Sequence, residues 1–211
     1  MWLIILTLII ALSALVGAAV GKYIKTSAFN GELLFKAELA EQIQLLEHNA
    51  LRKHDGSYVL GSELVTENAY TLIPGLDIPK DPHVIITNKT SIEAFLYVEV
   101  VDQTDAAVIQ WQMGDQWLLL AGVDGKKEHG AVYVYAADGH TPTPLTRTEG
   151  DITIHLLKDD TISVSQTLLS SENPGTLRFY AAMGEVNAVT AGTAVERATV
   201  IYMDHVTNVT P

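Results

Sequence analysis

Two apolar runs with strand periodicity lie near the middle of the chain. Residues 83–87 and 94–101 are rich in Val, Ile, Phe and Tyr, and the polar turn at residues 88–91 separates them. The second run is mostly apolar at both alternating sets of positions, which are Ala94, Leu96, Val98 and Val100 on one side and Phe95, Tyr97, Glu99 and Val101 on the other. This pattern predicts a strand inside a sandwich or at a protein contact, because an edge in water would be polar on one side.

A turn and an extended connector are predicted just before these runs. Pro74 and Gly75 suit a tight turn, since proline presets φ and glycine tolerates a positive φ. Pro79 and Pro82 push their preceding residues out of the helical region, which favours an extended segment. Residues 70–102 are therefore predicted to form a turn, a connector and two strands.

Short apolar runs separated by turn residues continue along the chain. Further strands are predicted at residues 58–60, 63–66, 108–113, 117–121, 131–136, 151–157, 161–166, 176–183 and 197–205, with a turn at residues 54–57. Turns at intervals of about 8–12 residues are typical of sandwiches. The predicted fold class is all-β: a jelly-roll-like antiparallel β-sandwich preceded by an N-terminal hydrophobic signal or anchor helix.

The N-terminal stretch of residues 1–21 has no charged side chain and is long enough to span a bilayer. One hypothesis is a signal peptide cleaved between Ala28 and Phe29; the other is a retained anchor. Lys22 and Lys25 follow the stretch and no basic residue precedes it, which counts against a simple signal peptide. We expect a leader at residues 1–28 and a single domain at residues 29–211.

The segment from residue 32 to residue 48 fits two structures. Phe35, Leu39 and Ile43 recur at helical spacing, whereas Leu33, Phe35, Ala37 and Leu39 alternate as in a strand. Strand is the interpretation adopted, with residues 29–40 as an extended arm.

Composition and charge exclude several classes of function. The net charge of −12 makes nucleic acid and anionic lipid poor partners, because like charges repel. The absence of cysteine removes disulfides, thiolate metal sites and cysteine nucleophiles. We expect solubility, and self-association that responds to salt, pH or divalent cations.

Candidate chemistry is sparse in the sequence. The seven histidines are His48, His54, His83, His129, His140, His155 and His205, and no HExxH arrangement is present. Asp124, Asp159 and Asp160 lie in turns but lack the spacing of a calcium loop. No GxSxG motif marks a hydrolase. We therefore predict no catalytic residue, no bound metal and no cofactor.

The order of these motifs resembles the TasA/camelysin family of Gram-positive secreted biofilm-matrix proteins. The similar motifs are IPG at residues 73–75, IPKDP at 78–82 and a strand ending in VEVVD at 98–102. TSAFN at residues 26–30 resembles the processing junction of the family, and GAVYVY at 130–135 resembles its aromatic strand. The resemblance covers most of residues 29–202 and is carried by structural motifs.

This resemblance implies a secreted structural protein that polymerises into extracellular fibres by donor-strand β-addition. The donor strand would use Phe29, Leu33, Phe35, Ala37 and Leu39. Candidates for an acceptor groove are the aromatic residues Phe95, Tyr97, Tyr133 and Tyr135, for which core positions are the alternative.

The implied partners are other copies of the chain and, during export, a signal peptidase; a second matrix protein is a further candidate. No nucleic acid is expected, and the membrane is expected only through the leader. An alternative function is a membrane-anchored, monomeric surface binding or adhesin domain. A secreted camelysin-like protease is the least supported alternative.

Overall fold

A computed structural model describes residues 43–87, 93–125, 129–146, 150–166, 175–186 and 191–208. Within these ranges the elements are β1 (Ile43–Arg52), β2 (Tyr58–Val65), β3 (Ile78–Pro79), β4 (His83–Ile86), β5 (Ala94–Asp102), β6 (Ile109–Gln110), β7 (Trp117–Asp124), β8 (Ala131–Tyr135), β9 (Ile152–His155), β10 (Thr161–Val164), β11 (Leu177–Glu185) and the helix α1 (Ala194–Asn208), with a 3-10 turn at Lys158–Asp160. The paired strands are antiparallel. The all-β class is confirmed; the predicted leader and arm lie outside the described residues.

The strands form three sheets. The outer sheet has the order β2-β1-β4-β9, the short sheet β3-β10-β6 and the central sheet β11-β5-β8-β7. The turn predicted before β3 is confirmed: Leu76 N–H donates to Ile73 O at 3.1 Å, and Gly75 takes φ +73°. A positive φ is strained for residues with a Cβ atom, which explains glycine at this position.

One core lies between the central sheet and the other two sheets. Val84 of β4 and Leu96 and Val98 of β5 are fully buried there, and Ile162 of β10 packs with them. Complete burial of each such side chain contributes about 1.5–3 kcal/mol to folding. The arrangement is sandwich-like, as the alternating runs predict.

A second core lies between the other face of the central sheet and α1. Phe95 and Tyr97 of β5 pack with Ala198, Ile201 and Tyr202 of the helix. The Tyr97 hydroxyl donates to Ala198 O at 2.9 Å. Burial is the larger of two causes that raise the pKa of Tyr97, and the neighbouring Tyr202 is the smaller. β5 is therefore apolar on both sides because a different layer covers each face.

The prediction of a strand at residues 197–205 is wrong, because this segment belongs to α1. Thr193 and Glu196 form a capping box: Thr193 N–H donates to Glu196 Oε2 at 2.7 Å, and Glu196 N–H to Thr193 Oγ1 at 3.2 Å. Hydrogen bonds from the backbone N–H of Thr193 and then from its side chain to the carboxylate lower the pKa of Glu196. No helix in the described ranges is long and apolar enough to cross a membrane.

Two predictions near the start of the described chain have different outcomes. β1 shows that the described part of the segment at residues 32–48 is a strand, as adopted from the sequence. Residues 58–60 and 63–66, predicted as two strands, form the single strand β2.

Candidate functional site

The four aromatic residues predicted to line an acceptor groove lie on opposite faces of the central sheet. Phe95 and Tyr97 are fully buried in the core under α1, whereas Tyr133 and Tyr135 pack against the core between the sheets. The register explains this separation, because Tyr97 is opposite Val134 and Val98 is opposite Tyr133. The structure therefore does not bring the four side chains together in one groove.

The predicted donor residues and cleavage site lie outside the described residues. They are Ala28, Phe29, Leu33, Phe35, Ala37 and Leu39. The arm that contains them precedes β1, which begins at Ile43 in the outer sheet.

The outer sheet ends in β2, whose other edge is paired with no strand among the described residues. No residue of β2 is fully buried. Leu64, Val59 and the facing Leu51 of β1 are 42%, 36% and 49% exposed. β2 contains neither lysine nor proline, the residues that commonly protect an edge from pairing with another chain. Unpaired backbone groups on an edge of this kind are a template for a further strand.

The β1–β2 hairpin is closed by the turn predicted at residues 54–57. Lys53 N–H donates to Ser57 O at 2.8 Å. The Asp55 carboxylate accepts hydrogen bonds from the Ser57 hydroxyl and N–H, and these bonds lower the pKa of Asp55. The turn thus fixes the register at this end of the hairpin.

At the other end of the hairpin, the register of β1 shifts between His48 and Ala50. The Asn68 side chain bridges the shift: it accepts from Ala50 N–H at 2.7 Å and donates to His48 O at 2.8 Å. Because both backbone groups are satisfied, the irregularity is a stable feature of the sheet.

Three histidines form a row across β1, β4 and β9 of the outer sheet. The ring centroids of His48 and His83 are 5.6 Å apart, and those of His83 and His155 are 5.4 Å apart. His83 is opposite His155 in the sheet register and is only 3% exposed. The sheet pairing, and not the local sequence, brings this histidine row together.

Each histidine of the row has an oxygen atom near Nδ1. His48 Nδ1 lies 2.5 Å from Asp81 Oδ2, and His155 Nδ1 lies 3.0 Å from Asp160 Oδ1. His83 Nδ1 lies 2.8 Å from the Asp81 carbonyl oxygen, to which it donates in the tautomer that carries the ring proton on Nδ1. Such contacts fix the orientation of the imidazole rings.

A buried ion pair lies beside the histidine row. Lys80 Nζ donates to Glu47 Oε2 at 2.7 Å, and both residues are buried. The Lys80 ammonium also lies 5.5 Å from the centre of the Tyr70 ring. Burial is the main cause that raises the pKa of Tyr70, and the negative charges of Glu47 and Asp81 raise it further. Because Lys80 and Glu47 compensate each other, Asp81 is left as a further negative charge next to two imidazoles.

The described residues contain a single group of three side chains with metal-ligand spacing. It consists of His48, Asp81 and His83, whose ligand atoms all lie within 4.8 Å of one another. The calcium candidates of the sequence, Asp124, Asp159 and Asp160, are not part of such a group in the described chain.

Sequence reasoning missed this group because His48 is remote from the other two residues along the chain. One signal was present: Asp81 and His83 are two residues apart in an extended segment, which places them on the same side.

A scan against protein-family models, a search of curated proteins and a search of solved structures each found no match to this chain. The resemblance to the TasA/camelysin family therefore stays a prediction from the sequence. The chemistry of the outer sheet has to be inferred from its own side chains.

Proposed function

We propose that this chain is a secreted structural subunit that polymerises into extracellular fibres of a biofilm matrix or cell surface. Subunits would join by donor-strand β-addition, with residues 29–40 of one copy pairing with the free edge of β2 in the next. That edge is the observation that carries the proposal, since its backbone and exposed Val59 and Leu64 offer a template for a further strand. A jelly-roll-like sandwich and a cleaved hydrophobic leader belong to the proposal through the sequence resemblance.

The arm has the sequence features of a donor. Leu33, Phe35, Ala37 and Leu39 alternate with other residues, so that in a strand they share one face. In β-addition the backbone hydrogen bonds supply affinity and the alternating side chains set the register. The eight residues of β2 offer an edge of about 26 Å, which the arm can match in length.

Two other strands at the ends of the sheets have features that protect an edge. β9 has only four residues. β7 has the larger register shift: five residue steps of β7 face two of β8, whereas four steps of β2 face two of β1. A larger irregularity interrupts more of the pairing with a new strand. β2 is therefore a better acceptor than either.

The pairing of one arm with one edge determines the form of the assembly. Such a head-to-tail contact uses two different surfaces of each subunit and produces an open filament when the rotation does not close a ring. The net charge of −12 opposes the contact, and salt screens that repulsion. We therefore expect filaments to form faster at 0.15 M salt than at 0.01 M salt.

The first test is N-terminal sequencing of the native extracellular protein, with negative-stain electron microscopy of the same sample. We expect a start at Phe29 and thin filaments, and deletion of residues 29–39 should abolish the filaments. A chain that keeps Met1 and stays monomeric at the membrane would contradict the proposal and support the anchored binding domain.

The second test changes the acceptor edge. Val59→Lys combined with Leu64→Lys should leave a folded monomer and abolish filaments, because lysine on an edge strand opposes strand addition. The matched control is Val200→Lys on α1, where the side chain is 49% exposed and lies on no sheet. Leu119→Lys on β7, also 49% exposed, tests the alternative edge. If filaments form with the β2 changes but not with Leu119→Lys, the acceptor is β7 and not β2.

A further inference from the structure

We propose that His48, Asp81 and His83 bind one divalent transition-metal ion of the Zn²⁺ type and so link β1 to the segment that enters β4. The three residues come from two parts of the chain that only the outer sheet brings together. Their ligand atoms lie within 4.8 Å of one another.

The two distances from Asp81 Oδ2 to the imidazoles lie on either side of the value for a tetrahedral site. Asp81 Oδ2 lies 2.5 Å from His48 Nδ1 and 3.9 Å from His83 Nδ1. Bonds of about 2.0–2.1 Å to Zn²⁺ place neighbouring ligand atoms about 3.3 Å apart. Binding would therefore require the first separation to widen by about 0.8 Å and the second to shorten by about 0.6 Å. It would also replace the hydrogen bonds of both Nδ1 atoms, with the ring protons on Nε2.

Burial holds two of the ligands in place while the third gives access. Asp81 and His83 are each 3% exposed. Asp81 Oδ1 accepts a hydrogen bond from His48 N–H at 3.0 Å, which fixes the carboxylate. The His48 side chain is 36% exposed, so an ion can enter from its side.

The charges favour a cation at this position. Glu47 and Lys80 neutralise each other at 2.7 Å, and Asp81 contributes one negative charge directly between the imidazoles. Asp160 adds a carboxylate at the far end of the histidine row. A divalent ion would meet this negative charge in a chain whose overall charge is −12.

The ligand types select the class of metal. Two imidazoles and one carboxylate suit Zn²⁺, Co²⁺ or Ni²⁺, whereas Ca²⁺ and Mg²⁺ prefer sites built from oxygen. Three protein ligands leave the fourth tetrahedral position for water.

The test uses the full chain, treated with a chelator, together with the Val59→Lys/Leu64→Lys variant. Measuring binding on that variant separates the metal proposal from fibre formation. Titration calorimetry with Zn²⁺ should show one ion per chain. A hundredfold excess over the Kd should raise the Tm by about 5–10 °C. Co²⁺ should give the absorption bands of a tetrahedral site, and Mg²⁺ should have no effect.

Two ligand variants distinguish a metal site from a hydrogen-bond network. His48→Gln, at the partly exposed ligand, should fold and lower the affinity for Zn²⁺ at least tenfold, and Asp81→Asn should do the same. The matched control is His54→Gln, an exposed histidine in the hairpin turn, which should bind Zn²⁺ like the unaltered chain. A lack of Zn²⁺ and Co²⁺ binding at 1 mM, or unchanged binding in both ligand variants, would overturn the proposal.

Discussion

The central sheet and the outer sheet differ in what covers their faces. In β5 of the central sheet, eight of nine residues are buried, because the other sheets cover one face and α1 covers the other. In β2 of the outer sheet no residue is buried, and apolar Val59 and Leu64 are exposed. The central sheet is thus specialised for stability, and the outer sheet presents both the free edge and the histidine row.

The largest expected effect on stability lies in the central sheet. Phe95→Ala should lower the free energy of unfolding by about 3–5 kcal/mol, since it leaves a cavity beneath α1. Leu119→Ala, at a 49% exposed position of the same sheet, is the control and should change stability by less than about 0.5 kcal/mol. Urea unfolding measures both values. Equal losses in the two variants would show that α1 does not form a packed layer.

Alkaline pH should weaken the same core through its buried tyrosines. Burial raises the pKa of Tyr97 above the usual value of 10.0, so the unfolded chain releases this proton at a lower pH than the folded chain. Stability from this group is complete below about pH 10 and is lost as the pH rises further, by about 1.4 kcal/mol per pH unit.

Urea unfolding between pH 9 and pH 11.5 tests this expectation. The free energy of unfolding should fall more steeply with pH for the unaltered chain than for Tyr97→Phe. The difference should be about 1.4 kcal/mol per pH unit, which corresponds to one proton. An identical slope for the two chains would place the Tyr97 hydroxyl in contact with water.

The capping box of α1 should have a smaller effect. Thr193→Ala removes the hydroxyl that accepts from Glu196 N–H and should cost about 1 kcal/mol. Thr193→Ser keeps the hydroxyl and is the matched control. If circular dichroism showed the two variants unfolding at the same temperature, the cap would not stabilise α1.

The two strands of the 83–101 region were predictable from sequence because both alternating sets of β5 are apolar. The predictions at residues 83–87 and 94–101 match β4 and β5 closely. Because both alternating sets of β5 are apolar, the sequence also indicated that both faces of the strand are covered. It did not indicate that a helix covers one of them.

The helix was missed because Val200, Ile201 and Tyr202 favour strands locally. Two helical signals compete with that preference. Thr193 and Glu196 have capping-box spacing, and Ala198, Ile201 and Tyr202 recur at intervals of three and four residues. Packing against Phe95 and Tyr97 decides between them, and local propensity cannot include that contact.

The histidine row could not be predicted because the pairing of β1, β4 and β9 creates it. His48, His83 and His155 are dozens of residues apart, and their register is a property of the folded sheet. The free edge of β2 could not be predicted either, because local periodicity does not determine the order of strands in a sheet.

Cysteine cross-linking between subunits tests the central claim most directly, because the chain contains no cysteine of its own. One set of chains would carry Ser62→Cys or Glu63→Cys in β2, and a second set Phe35→Cys or Lys36→Cys in the arm. Adjacent antiparallel strands bring paired Cα atoms to about 4.5–5.5 Å, within disulfide range. Leu119→Cys on β7 is the control for the other edge.

Mixed filaments should give a disulfide-linked pair between an arm cysteine and a β2 cysteine, and none with Leu119→Cys. Cross-links to Leu119→Cys alone, or filaments without any cross-link between the arm and β2, would contradict strand addition at this edge.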